Sequence, residues 1–173
     1  MALLINPNAI PPSDPATGVT TTHAHDRVAG LVKSLSPSDA IVIPTPVLAE
    51  ILVKAGEGAP TVFEALQGQA RIRVASFDER AAVELSVMTQ EAISRGDKRG
   101  GHGEPWQKVK FDRQILAIAR VVGADRVYSD DAKLKVFATS VGLEVISTWE
   151  LPVPDGLDNL FTSAGLPRGG TEV

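Results

Sequence analysis

The stretch Arg126-Val127-Tyr128-Ser129 is β-like, and it runs directly into two adjacent aspartates, Asp130 and Asp131, after which a helical pattern begins. One acid at such a junction is an ordinary helix N-cap. A second could simply favour the positive end of the helix. Two further acids suggest another chemistry. Asp112 lies near the start of a helical stretch and, at ~100° per residue, shares a face with Ile115, Leu116 and Ala119. A carboxylate on that apolar face loses water and needs a compensating partner. Glu50 falls early in a helix that follows another strand. Taken singly, Glu50 reads as a solvated helix residue and Asp112 as a cap. Taken together, clustered carboxylates without His or Cys suit hard, oxygen-seeking ions such as Mg²⁺ or Mn²⁺.

Strands and helices must bring these acids together. Hydrophobic periodicity predicts helices over 22–35, from Thr45 to a stop at Gly56, over 61–66, from Ser76 to about 94, over 111–122 and up to Val141. Thr45 can cap its helix, and Ser76 with Glu79 fits a capping box. Strands are expected at 40–43, 71–75, 126–129 and 143–147. Residues 6–22 and 95–110 read as long loops. Alternating strands and helices imply an α/β fold, a three-layer sandwich with a mostly parallel central sheet. Sites in such folds gather at the carboxyl ends of strands, where all four acids are expected. One domain is assigned to 1–150 and a loose tail to 151–173.

Composition narrows the classes. The chain has 173 residues, 43% hydrophobic, with no cysteine and a net charge of −4. Disulfides, thiolate metal sites and Cys nucleophiles are excluded. No global basic field draws it to nucleic acid, so any such contact must be local. No apolar run reaches the ~20 residues of a membrane span, and the start lacks a basic, apolar leader. A cytoplasmic location and no membrane partner are expected. The one locally basic segment holds Arg95, Lys98, Arg99, Lys108, Lys110 and Arg113, with Trp106 among them. Cations around one stacking ring suit single-stranded RNA, although a solvated connection would look the same. His23, His25 and Asp26 lack the further ligands of a zinc site, and neither Gly-rich stretch carries the Lys-Ser/Thr of a phosphate loop.

The residues that carry a resemblance are now in view. The segment "IPTPVLAEIL" around Glu50 and the block "KVKFDRQILAIARVVGADRVYSDDAKL" resemble the PIN-domain family of metal-dependent ribonucleases, which includes toxins of toxin–antitoxin pairs. The resemblance spans about residues 1–150. It implies Glu50 as the family's second acid, Asp112 as the third and Asp131 as the acid of the last motif, with Asp130 a close second. Glu50, Asp112 and Asp131 would be catalytic, holding one or two Mg²⁺ or Mn²⁺ ions together with Asp130. Lys110, Arg113 and Ser129 would meet the substrate. RNA, an antitoxin protein and a second copy of the chain are the partners implied.

The family also opens with a strand that ends in Asp, whereas "MALLINPN" resembles the helix and loop that follow it. That strand lies at the centre of the family's sheet, so its absence would leave a gap in the core and remove a ligand. An upstream start is the favoured explanation; a degenerate, inactive homologue or substitution by Asp14 or Asp26 are the others. A non-catalytic module that binds RNA or a protein is the competing function. A response-regulator or phosphatase fold lacks the later Lys or Thr it would need.

Overall fold

The structure, a computed structural model, describes residues 2–6, 9–96, 98–99 and 105–155. It is an α/β fold. Helix α1 (Ala2–Ile5) and helix α2 (Ala24–Ser34) precede strand β1 (Ile41–Pro44) and helix α3 (Thr45–Ala55). Helix α4 (Ala59–Gln67), strand β2 (Ile72–Ala75) and helix α5 (Glu79–Ser94) follow. The last part holds helix α6 (Trp106–Val121), strand β3 (Arg126–Tyr128), helix α7 (Ala132–Ser140) and strand β4 (Glu144–Ile146). A short 3-10 turn, Thr148–Glu150, comes next.

Glycine stops these helices where the chain must turn through positive φ. Gly56 ends α3 at φ 54°, and Gly142 follows α7 at φ 78°. Two starts differ from expectation. Helix α5 begins at Glu79, with Asp78 as N-cap accepting from Ala81 N at 2.9 Å, so Ser76 lies outside the cap. Thr45 is the first residue of α3, and its hydroxyl accepts from Phe77 N at 3.1 Å. It therefore ties the exit of β2 to that of β1.

The strands form two separate parallel pairs. β1 pairs with β2, Ile41 opposite Ile72 through Pro44 opposite Ala75. β3 pairs with β4, Arg126 opposite Glu144 through Tyr128 opposite Ile146. The expected single central sheet is thus two ladders among the described residues, with no hydrogen-bonded strand joining them. A cavity of about 30 Å³ lies where the halves meet, lined by Leu31, Ile41, Tyr128, Asp130, Ile146 and Leu151 among others. It has room for about one water molecule.

Each half keeps its own apolar cluster. Ile43, Leu48 and Leu66 pack together around β1, α3 and α4. Met88, Leu116, Ala117, Phe137, Ala138 and Val145 join α5, α6, α7 and β4. Helix α6 contributes Leu116, Ala117 and Ala119 to the second cluster and also packs against β1, so it spans both halves. Packing continues past residue 150. Leu151 is buried, its carbonyl accepts from Arg27, and Pro154 fits against Gly30 of α2. The remainder of the expected tail, 156–173, lies outside the described residues. No described helix is long and apolar enough to cross a membrane.

Candidate functional site

Asp131 follows β3 and is the N-cap of α7. Its Oδ1 accepts from Lys133 N at 2.8 Å and Leu134 N at 3.3 Å, satisfying amides that a helix start leaves orphaned. Its Oδ2 accepts from Lys108 Nζ at 3.0 Å. Partial burial pushes this carboxyl up. The Lys108 hydrogen bond, the two amides and the Lys108 charge outweigh that and leave it below its ordinary range. The backbone is held as well, since Asp131 N donates to Ser129 Oγ at 3.2 Å.

Asp130 turns the other way. Its Oδ1 accepts from Thr148 N at 2.7 Å and its Oδ2 from Thr148 Oγ1 at 2.9 Å. Thr148 is buried. The two neighbouring acids therefore serve different elements: Asp131 joins the starts of α6 and α7, and Asp130 ties the end of β3 to the turn after β4.

Helix α6 starts at Trp106, five residues earlier than its periodicity suggests, because Pro105 takes the N-cap position with ψ 137°. Asp112 consequently lies in the second turn rather than the first. It is half-buried and sits one turn after Lys108, the i, i+4 relation that puts two side chains on one helix face. Lys108 thus pairs with Asp131 from the next element and shares a helix face with Asp112.

Glu50, Lys110 and Arg113 differ in exposure. Glu50 is exposed on α3. Lys110 is exposed and, two residues from Lys108, points to the opposite side of α6. Arg113 is fully buried: it donates to Lys98 O at 2.8 Å and to Thr89 Oγ1 at 3.4 Å, and lies over the rings of Trp106 and Phe137. It is a packing cation in this structure, out of reach of a surface ligand. Trp106 is covered in turn by Lys98 Nζ, 4.7 Å from its ring centre. Asp97, His102 and Glu104 of the basic segment lie outside the described residues. Asp14 accepts locally from Ala16 N and Thr17 Oγ1, and Asp26 pairs with His23.

Among the described residues no three His, Asp or Glu side chains stand close enough to hold a metal ion. Asp131 Oδ2, which Lys108 meets, is a carboxylate oxygen, the donor type a hard cation takes. Mg²⁺ commonly takes only one or two carboxylates, with water and substrate phosphate for the rest. The sequence placed Lys108 only among the cations of the basic segment, and its pairing with Asp131 was not expected. Its signal was the i, i+4 spacing to Asp112, hidden because the helix start was set after it.

No family model matches this chain, and no curated protein matches it. Among solved structures, the structure of FitAB bound to IR36 DNA fragment contains a chain 20% identical to this one. The match covers 73% of this chain and 85% of that one, with a TM-score of 0.49. So loose a superposition leaves the chain's function to be read from its own residues.

Proposed function

We propose that the chain is a PIN-like, metal-dependent endoribonuclease that hydrolyses RNA phosphodiesters at the corner formed by Asp112 and Asp131. The supporting observation is the ion pair between Asp131, the N-cap of the helix after β3, and Lys108, which stands one helical turn before Asp112. In this reading β1–β2 and β3–β4 are parts of the mostly parallel central sheet of a three-layer sandwich.

Asp112 and Asp131 would hold Mg²⁺ or Mn²⁺, with Glu50 contributing through water. When bound, the ion supplies a water of lowered pKa and stabilises the charge of an in-line displacement. The chain's own groups set the geometry. The Lys133 and Leu134 amides fix Asp131 Oδ1 and leave Oδ2 to Lys108. Asp130 acts through Thr148, and Ser129 through the Asp131 amide, as positioning residues. Lys110 is available to a phosphate of the RNA strand away from the corner. An antitoxin and a second copy of the chain are the protein partners of this reading, and a toxin of a toxin–antitoxin pair is its physiological form.

Cleavage of single-stranded RNA tests it. Activity should require Mn²⁺ or Mg²⁺, stop with chelator, and fall at least ~10²-fold in Asp112→Asn and Asp131→Asn variants that keep their fold. Unchanged cleavage in both variants would sink the proposal.

A second reading is a non-catalytic module that binds RNA or a protein. One observation favours it: every carboxylate oxygen of the Asp130–Asp131 pair already has a protein donor. RNA binding without cleavage at any divalent ion concentration is its signature.

A further inference from the structure

Asp131 has a single oxygen directed away from its own helix, and Lys108 occupies it. Oδ1 is committed to the Lys133 and Leu134 amides, so a ligand of this carboxylate must come to Oδ2. Lys108 Nζ is 3.0 Å from that atom. Lys108 is the third residue of α6, and its backbone N–H donates to Pro105 O at 3.0 Å, so its Cα is fixed on the helix while the side chain extends across to α7. An ammonium and a divalent ion within bonding distance of one oxygen repel each other strongly.

We propose that Lys108 is a built-in competitor for the divalent ion, a gating residue that must leave Asp131 Oδ2 before an ion binds there. This rests on the metal-dependent reading above. The exchange is easy in both directions. Both side chains are 38% exposed, and ion pairs so open to water are weak. A four-carbon stem lets the ammonium swing away without moving α6. The device therefore lowers metal affinity at rest without stopping occupation when the ion is abundant. Without an ion, Lys108 neutralises the carboxylate and keeps α6 joined to α7.

Calorimetric titration of Mn²⁺ into the full chain tests this, with Lys108→Met, Lys108→Gln, Lys108→Arg and Asp131→Asn alongside and a thermal melt of each to confirm folding. Removing the charge should tighten Mn²⁺ binding by about two- to fivefold in Lys108→Met and Lys108→Gln, the span an exposed ion pair covers. Lys108→Arg should stay near the parent, and Asp131→Asn should lose the site. Binding unchanged or weaker in both neutral variants, with Asp131→Asn still losing it, would overturn the gate and leave the metal reading standing. No Mn²⁺ binding by any chain would overturn both.

Discussion

Asp130 accepts two hydrogen bonds from one residue, the backbone N–H of Thr148 at 2.7 Å and its hydroxyl at 2.9 Å. This clasp joins the end of β3 to the turn that follows β4, beside the cavity between the two halves. Asp130→Ala leaves a buried amide and a buried hydroxyl unpaired and should cost about 1–3 kcal/mol in urea unfolding. Asp130→Asn keeps an oxygen for the amide and should cost less. RNA cleavage should survive Asp130→Asn better than Asp131→Asn, because Asp130 faces Thr148 and Asp131 faces Lys108.

Arg113 and Lys110, three residues apart on α6, should separate stability from substrate contact. Arg113→Ala removes a fully buried side chain from between Trp106 and Phe137 and leaves the Lys98 carbonyl without that donor. It should destabilise the fold by about 2–5 kcal/mol. Lys110→Ala should change stability by less than about 0.5 kcal/mol and weaken binding of an RNA oligonucleotide, more so at low salt. Chemical denaturation and fluorescence anisotropy read the two effects.

Acid should loosen the turn after β4. Glu150 accepts from Lys135 Nζ at 2.6 and 2.8 Å and from Ser147 N at 2.7 Å. The Lys135 hydrogen bond first, then the Ser147 amide, hold its carboxyl below the ordinary 4.5. A group whose folded pKa is depressed contributes stability above its unfolded pKa and loses it as pH falls through the folded value. Melting temperature should therefore fall as pH drops below about 4.5, and Glu150→Gln should flatten part of that fall. Equal slopes in parent and variant would show that Glu150 carries none of it.

Leu116 reports on the second apolar cluster. It is fully buried on α6 among Met88, Phe137 and Val145. Leu116→Ala should cost about 2–5 kcal/mol in the same unfolding measurement.

The alternation of helices and strands was legible because short aliphatic runs such as Ile41–Pro44 are followed by helical periodicity, and Gly56 and Gly142 end helices where they were expected to. The start of α6 was not. Its apolar stripe begins at Trp106 and Val109, but the next position on it is Arg113, and an arginine there reads as surface. Only tertiary structure shows that two rings and a carbonyl bury that guanidinium. The same early start concealed the place of Lys108 on that helix. The pairing of the strands was also beyond reach, because a ladder depends on which edges meet. Of the expected acids, Asp131 pairs with Lys108, and Asp112 shares that lysine's helix face. Asp130 turns to Thr148, and Glu50 stays exposed, since sequence spacing gives a residue's helix but not the direction of its side chain.

The most direct test of the account is anomalous scattering from a crystal of the full chain grown with Mn²⁺. A manganese peak bounded by Asp112 and Asp131 Oδ2 is expected, with Lys108 Nζ moved off that oxygen. Lys108 still paired with Asp131, and no manganese beside Asp112, would contradict it.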